Sequence, residues 1–322
     1  MQANDGEKAG WGPKDEQPLL KKGAGRGSHW SDIICSTCGW LKDAGQQLEY
    51  GKKYDGYWTG ELFVKQLREK IIPAFEAKHD PREYQALIMV DNSQGHSAYA
   101  ADALWVTLMN LRPGGKNVPQ MRDGWFTRDG EKIIQSMVMP EDHQTDPGKP
   151  KGIRQVLVEQ GLWRPGMLLL CRAKKGQSVE EGKCHPEATN CCVTRTLSLQ
   201  PDFLEQKSLV QETIEELGHL CIFLPKFHCE LNFIEFFWGA VKKYLREHCD
   251  YTYTGLQESL PKALESVQLS TIRKWEHCMI RWMDAYREGE GARDAQIQVQ
   301  KFSSRPQSSH RRVPETVAGA FD

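Results

Sequence analysis

The chain has 322 residues, of which 26% are charged, and its formal net charge at pH 7 is −1. This length is sufficient for a full hydrophobic core, in one large domain or in one domain with an insertion. The balanced charge gives no global signal for nucleic acid, so any affinity for DNA must come from local basic patches. No apolar run approaches the roughly 18 residues of a membrane-spanning helix, and the polar N-terminus does not resemble a signal peptide.

Cysteine usage indicates a reducing compartment. The chain contains ten cysteines. It is too long for a typical disulfide framework, it shows no secretory signal, and most of its cysteines lie in apolar segments. The segment 35–38, CSTC, is a CxxC pattern without a second pair nearby. Zinc sites of this kind usually combine two such pairs, so the pattern favours two core cysteines over a zinc site.

The first predicted elements are short strands followed by a helix. Residues His29 to Ile34 alternate weakly between polar and apolar side chains, which predicts a strand, and Leu48 to Tyr50 predicts another. Thr59 is positioned to cap a helix whose apolar residues recur at helical spacing. Pro73 is expected to kink or break this helix, because proline has no backbone N–H.

The middle of the chain combines one buried strand with a long loop. The segment 87–90, LIMV, predicts a buried strand that ends on Asp91. Helices are predicted from about Ser97 to Met109 and from Ile153 to Leu162. Between them, from Pro113 to Pro150, glycine and proline recur and predict a loop. A long irregular stretch in a compact domain is usually functional or inserted.

Four cysteines follow within a short stretch and form a candidate zinc site. They are Cys171, Cys184, Cys191 and Cys192. Four thiols could bind a structural zinc ion. Their spacing is not a standard pair of CxxC motifs, and two adjacent cysteines can ligate one ion only with an unusual turn. A structural zinc site and ordinary reduced cysteines both remain open.

A second buried strand leads into an amphipathic helix. A helix from Phe203 to Leu217 precedes the strand, which is predicted from Cys221 to Leu224. The next helix begins near Leu231 and keeps its apolar residues on one face. Glu235 lies in its first turn, where it could bind a metal ion or satisfy a free N–H in a capping-box variant.

The C-terminal part is helical and then polar. One helix is predicted from Thr254 to about Val267 and another from Ser270 to about Tyr286, each capped by its first residue. The tail, 289–322, is predicted to be polar and flexible. Basic residues of the helix that begins near Leu231 could bind phosphates, or they could be ordinary solvated residues. They are Lys242, Lys243 and Arg246.

Two motifs, in this order, resemble those of mariner-like DDE transposases. The segment 91–96, DNSQGH, resembles their DNxxxH motif, and the segment 224–238, LPKFHCELNFIEFFW, resembles their LPxxSPDLNPIExxW motif. Most of the chain also resembles the fungal branch of DDE-superfamily endonucleases. Glu230 and Phe233 depart from the motif, where Asp and Pro are usual, but neither change removes an expected metal ligand.

The resemblance implies an α/β fold with a ribonuclease H-like mixed sheet flanked by helices. The DDE catalytic domain would span 1–250, with a loop-rich, cysteine-containing insertion at about 112–200. A C-terminal helical extension would follow at 251–288. The resemblance further implies DNA as the partner and the nucleus as the location. It allows a homodimer, and no membrane is expected.

The resemblance also implies metal-dependent DNA strand cleavage and transfer by in-line phosphoryl transfer. Enzymes of this family hold two Mg²⁺ or Mn²⁺ ions with three carboxylates. Asp91 and Glu235 would be two of these ligands, and His96 would contact a phosphate or pack at a helix start. In relatives the first acid lies on a strand that should end where this chain begins, which predicts an N-terminally truncated chain.

Asp32 is the best substitute for the first acid within this sequence. The alternative for Asp32 is a solvent-facing or turn-capping acid. Two carboxylates alone make a poor two-metal site, so we expect weak nuclease activity or none. The second hypothesis is a DNA- or protein-binding module that keeps the fold without catalysis. A third is a zinc-dependent interaction protein organised by Cys171 to Cys192.

Overall fold

The computed structural model describes residues 27–50, 53–171, 184–250 and 252–301. The chain is a mixed α/β protein, as predicted, and it divides into two compact units. The first unit comprises residues 1–98 and 209–322, and the second comprises 99–208. The predicted insertion, about 112–200, falls inside the second unit. No helix in the described ranges has the length and apolar character needed to cross a membrane.

The strands of the described ranges form four two-stranded sheets. Three are antiparallel, pairing β1 with β4, β2 with β3, and β6 with β7, and the pair of β5 with β8 is parallel. In chain order the strands are β1 (Ser28–Ser31), β2 (Ile34–Cys35), β3 (Gly39–Trp40), β4 (Gln46–Glu49), β5 (Leu87–Val90), β6 (Gly124–Arg128), β7 (Glu131–Gln135) and β8 (Leu220–Phe223).

Both units contain helices, and the C-terminal part of the described chain is helical. In chain order they are α1 (Gly60–Gln66), α2 (Ile72–Glu76), α3 (Ile153–Glu159), α4 (Val193–Ser198), α5 (Pro201–Leu204), α6 (Leu209–Glu216), α7 (Ile234–His248), α8 (Tyr253–Glu265), α9 (Leu269–Arg287) and α10 (Ala292–Lys301). The predicted helix over 203–217 is therefore split into α5 and α6.

The parallel pair β5–β8 lies at one core of the first unit. Ile88 and Val90 point into a cluster with side chains of α1 and α6, including Phe63 and Ile214. Burial alternates along the strands, because successive side chains of a strand point to opposite faces. The prediction of a buried strand therefore holds for one face of β5 only, because in β8 Leu220 and Ile222 are exposed and the other two residues are partly buried.

A widened turn joins α1 to α2 and accommodates the proline that was expected to break the helix. Residues Leu67–Ile71 form a π-helical turn in which the N–H of Ile72 bonds to the carbonyl of Leu67. Pro73 follows at the second position of α2. A proline ring clashes with the carbonyl four residues earlier, and a π-type turn relieves such a clash without ending the helix.

The long helices α7, α8 and α9 share a second core of the first unit. The predicted apolar face of α7 contributes Phe237, Val241 and Leu245, which are buried against residues of α8 and α9. α10 extends this region, because Ala295 and Val299 are buried. The prediction of a flexible tail from residue 289 is therefore wrong for 292–301, and residues 302–322 lie outside the described part of the chain.

Two further predictions are corrected in the second unit. The expected helix over 97–109 does not form, and only Val106–Leu108 make a 3₁₀ turn there. Leu104 and Val106 instead pack in a core with α3 and α4. The predicted loop over 113–150 contains the hairpin β6–β7. Its two-residue turn, Asp129-Gly130, has positive φ at both positions, which matches the twist of a hairpin.

Helix α8 is capped two residues earlier than the sequence predicted. The hydroxyl of Thr252 accepts a hydrogen bond from the N–H of Gly255 at 2.9 Å. Asp250 in turn accepts from the N–H and the hydroxyl of Thr252. Thr254, the predicted cap, lies within the helix and is exposed.

We expect Thr252→Ala to lower the free energy of unfolding by about 1 kcal/mol, because an N–H at the start of α8 loses its acceptor. Thr254→Ala is the matched control and should change stability by only a few tenths of a kcal/mol. Urea denaturation followed by circular dichroism measures both. A larger loss in Thr254→Ala would contradict this assignment of the cap.

Candidate active site and metal centre

The carboxyl ends of β5 and β8 bring the two predicted motifs together. The N–H of Leu224 donates to the carbonyl of Val90 at 2.8 Å, which continues the ladder beyond the strands. The side-chain amide of Asn92 donates to the carbonyl of Leu224 at 2.5 Å. Asn92 therefore ties the DNxxxH segment to the first residue of the second motif.

Asp91 follows β5 and is held by a histidine from its own motif. Its Oδ1 lies 2.6 Å from Nδ1 of His96 and also accepts from the N–H of Ser93. The hydrogen bond from His96 lowers the pKa of Asp91 below its ordinary value, although burial opposes this shift. About half of the Asp91 side chain, 49%, is exposed. The site therefore offers an ionised carboxylate that a cation can reach.

The orientation of His96 follows from a second contact. Its ring lies against the ring of Phe63 in α1, with centroids 4.4 Å apart. A histidine held between an aromatic ring and a carboxylate fixes the position of that carboxylate. Of the two roles considered for His96, packing is the one the contacts describe, and a phosphate contact stays a prediction.

Glu235 lies in the first turn of α7, in the segment that follows β8. The residue is exposed, and its N–H bonds to the carbonyl of Asn232 at 3.0 Å. The N–H of Asn232, which Glu235 would satisfy in a capping box, donates to the carbonyl of Cys229 at 3.1 Å instead, so the capping-box alternative is wrong. The Glu235 carboxylate is exposed to solvent, and the chain reaches it from the carboxyl end of β8 through the segment 224–233.

Asp32 directly follows β1, and its carboxylate is enclosed by donors. Oδ2 accepts from the indole N–H groups of Trp30 and Trp40, at 2.9 and 2.5 Å, and Oδ1 accepts from the N–H of Ile33. Burial raises the pKa of Asp32 to about 6, and the three hydrogen bonds only partly oppose this. These contacts explain Asp32 as a structural acceptor between two tryptophans.

The three predicted acids do not form a shared ligand set in the described part of the chain. Asp32, Asp91 and Glu235 belong to no group of three or more ligand atoms that lie within 4.8 Å of one another. The structure therefore shows one accessible carboxylate, Asp91, at the end of β5 and a second, Glu235, at the start of α7. Carboxylate oxygens suit Mg²⁺ or Mn²⁺, but a two-metal site needs more of them.

The predicted basic residues lie on the solvent side of α7. Lys242, Lys243 and Arg246 are exposed, on the face opposite the buried Phe237 and Val241. Lys243 lies 3.9 Å from Glu247, one helical turn later. An exposed pair of this kind adds little stability, so it leaves the Lys243 ammonium able to contact a phosphate.

A second candidate centre, the four-cysteine cluster, lies in the second unit. It consists of the four cysteines predicted as a zinc site, whose sulfur atoms all lie within 4.8 Å of one another. They are Cys171, Cys184, Cys191 and Cys192. Four thiolates are a ligand set that suits tetrahedral zinc. The cluster could therefore bind a metal such as zinc.

Backbone contacts bring the distant cysteine of this cluster to the other three. The N–H groups of Val193 and Thr194, at the start of α4, donate to the carbonyls of Leu168 and Leu169. This pairing holds Cys171 beside the adjacent cysteines. The guanidinium of Arg195 donates to the carbonyls of residues 186 and 188, which holds the loop that carries Cys184.

The four-cysteine cluster is electrostatically uneven. Burial opposes ionisation of Cys192, but the N–H groups of Arg195 and Cys171 donate to its sulfur and hold its pKa below the ordinary value. A hydrogen bond with Cys191, together with burial, raises the pKa of Cys171 to about 12. Cys192 therefore loses its proton more readily than Cys171, and metal ligation requires the deprotonated form of each ligand.

Sequence reasoning missed the role of Glu230. This carboxylate is buried and lies 2.8 Å from Nδ1 of His228, and it accepts from the hydroxyl of Tyr286 in α9 at 2.7 Å. Glu230 therefore anchors the segment between β8 and α7 to a distant helix. The only signal in the sequence was its position in the second motif, where Asp is usual.

Comparisons with protein-family models, with curated proteins and with solved structures returned no match to this chain. The resemblance to DDE transposases therefore rests on the two sequence motifs alone.

We expect Asp32→Ala to lower the free energy of unfolding by about 1–3 kcal/mol, because the partly buried indole N–H groups of Trp30 and Trp40 lose their acceptor. Asp32→Asn keeps an acceptor and should cost less. The folded-state pKa of about 6 exceeds the ordinary value of 3.8, so protonation stabilises the folded state. Relative to Asp32→Asn, the unchanged chain should lose stability as the pH rises from 4 through about 6. Urea denaturation across this range measures the difference, and a constant difference would contradict the enclosed carboxylate.

We expect Cys191→Ser to remove one equivalent of zinc from the purified, reduced chain, because the four-cysteine cluster loses an exposed ligand. Cys249→Ser changes a cysteine outside the cluster and should leave the zinc content unchanged. Elemental analysis after dialysis measures both variants. Equal zinc content in the two variants would contradict a metal site at the four-cysteine cluster.

Proposed function

We propose that this chain has a ribonuclease H-like fold and is a transposase-derived DDE endonuclease of the kind that the two motifs resemble. In this proposal it acts on DNA in the nucleus, and Asp91 and Glu235 are metal ligands. The reaction class is metal-dependent cleavage and transfer of a DNA strand by in-line phosphoryl transfer.

One observation carries the proposal: each of the two motifs begins at the carboxyl end of one strand of the same parallel pair, β5–β8. Asp91 directly follows β5, and the segment after β8 leads to Glu235 in the first turn of α7. Parallel strands of α/β sheets bind ligands at this end. The contact from Asn92 to Leu224 joins the two motifs, which gives a physical reason for their occurrence together.

The residues of the proposed site have separate roles. Asp91 and Glu235 provide carboxylate oxygens, and His96 keeps the Asp91 carboxylate ionised and in place. Lys242, Lys243 and Arg246 would contact the phosphates of DNA. When bound there, Mg²⁺ or Mn²⁺ would lower the pKa of a water nucleophile and stabilise the leaving oxygen.

We propose that nuclease activity is weak or absent in this chain. Asp32 is not a metal ligand in this proposal, because its carboxylate already accepts three hydrogen bonds, from Trp30, Trp40 and Ile33. A two-metal site that lacks one of the carboxylates shared by the two ions binds metal more weakly and misplaces the nucleophile. The same observation favours the second candidate function, a DNA- or protein-binding module that retains the fold without catalysis.

Titration of Mn²⁺ into the full chain, followed by calorimetry, tests the proposed site. We expect weak binding that is lost in both Asp91→Asn and Glu235→Gln, because both changes remove a charged ligand while keeping the shape of the side chain. Glu61→Gln is the matched control, since Glu61 is also an exposed glutamate in the first turn of a helix. Binding that survives in both site variants would overturn the assignment of the metal ligands.

Two further readouts separate the enzyme from the binding module. Nicking of supercoiled DNA in the presence of Mn²⁺ measures catalysis, and fluorescence anisotropy with a labelled duplex measures DNA binding. DNA binding without Mn²⁺ binding or nicking would support the module. Strong nicking that disappears in Asp91→Asn would show that the chain is a competent nuclease and would contradict the proposed weak activity.

A further inference from the structure

A second sulfur-containing cluster lies in the first unit and is separate from the four-cysteine cluster and from Asp91 and Glu235. Two cysteine sulfurs and one imidazole nitrogen, from Cys35, Cys38 and His79, all lie within 4.8 Å of one another. The sequence pattern had favoured two core cysteines, because no second cysteine pair lies nearby. The third candidate ligand is a histidine far along the chain, which the CxxC spacing could not reveal.

A tight hairpin positions the two thiols. β2 and β3 pair antiparallel, with Cys35 opposite Gly39, so the chain reverses over residues 36–38. Gly39 has φ +86°, a conformation that side-chain-bearing residues rarely adopt. This turn brings Cys38 back beside Cys35. Both cysteines are partly buried, so an ion can reach them.

The end of α2 supplies the histidine. The N–H of His79 donates to the carbonyl of Phe75 at 3.0 Å, so the residue continues the last helical turn. Its ring lies against Phe75 and Tyr84, with centroids 4.6 and 5.4 Å away. Packing between two aromatic rings restricts the imidazole and keeps its orientation toward the hairpin.

The hydroxyl group of Thr37 lies between two of the three candidate ligands and contacts both. Oγ1 of Thr37 lies 2.9 Å from Nε2 of His79 and 2.9 Å from Sγ of Cys35. The imidazole nitrogen therefore faces the sulfur side of the turn, and its partner there is a small polar group. An ion bound by the sulfurs and the nitrogen would replace these two hydrogen bonds with stronger bonds.

A cation from α9 holds the same turn. The guanidinium of Arg273 donates to the carbonyls of Ser36 and Thr37, at 2.9 and 3.4 Å. These bonds keep the turn in place whether or not an ion is present.

We propose that Cys35, Cys38 and His79 form a zinc-binding site with three protein ligands and a fourth position that water occupies. Two thiolates and one imidazole suit zinc, a borderline-soft ion, and are poor ligands for Mg²⁺ or Mn²⁺. A bound ion would connect the β2–β3 hairpin to the end of α2. The site is independent of the proposed DNA function, because it shares no residue with it.

Cobalt substitution tests this site, because Co²⁺ bound to thiolates gives visible and near-ultraviolet absorption bands that report tetrahedral sulfur ligation. The background is the full chain with Cys184→Ser and Cys191→Ser, which removes two ligands of the four-cysteine cluster. Under reducing conditions we expect this chain to bind one equivalent of Co²⁺. Cys38→Ser and His79→Gln, each added to this background, should lose that equivalent.

Matched variants separate ligation from general damage. Cys249→Ser and His248→Gln change a cysteine and a histidine outside both clusters and should retain the equivalent. His79→Cys supplies a different zinc ligand and should retain binding with a stronger thiolate band. If the background chain does not fold, zinc content is measured in the otherwise unchanged chain, where His79→Gln should lose one equivalent. The proposal is overturned if the reduced, folded chain binds no ion here, or if binding survives in both Cys38→Ser and His79→Gln.

Discussion

The parallel pairing of β5 with β8 is the constraint on which the candidate active site depends. Four registered pairs run from Leu87 opposite Leu220 to Val90 opposite Phe223. A parallel pair cannot be closed by a tight turn, so the chain must leave one strand and return to the start of the other. The second unit lies within this connection. Both motifs are therefore adjacent in space because of one ladder and one amide, that of Asn92.

Three carboxyl groups of the first unit have different roles because their surroundings differ. Asp91 is half-exposed and held ionised by His96, so it can bind a cation. Asp32 is enclosed by two indole groups, and Glu230 is buried against Tyr286. Desolvation raises the pKa of a carboxyl group unless donors compensate for the lost water. Only the first of these environments suits a metal ligand that must exchange water.

The two sulfur-containing clusters are built in a similar way and offer ligands of a different chemical type from the carboxylates. Each combines residues from separate segments, and each is held by arginine contacts to loop carbonyls, from Arg195 in the second unit and from Arg273 in the first. Zinc prefers sulfur and imidazole, whereas Mg²⁺ and Mn²⁺ prefer oxygen. The candidate sulfur and imidazole ligands therefore lie at different places in the described chain from the candidate carboxylate ligands, Asp91 and Glu235.

The sequence by itself determined the local features of this protein. It predicted the β5 strand, the cap at Thr59, the apolar face of α7 and the four cysteines that come together, because periodicity, capping and residue type act over a few positions. It did not reveal that residues 97–109 are not helical and pack with α3 and α4, or that a helix, α10, follows and contacts α9. Nor did it separate Asp32 from Asp91, or connect His79 to Cys35. Those outcomes depend on contacts between distant segments, and burial, hydrogen-bond partners and ligand geometry exist only once the tertiary structure has formed.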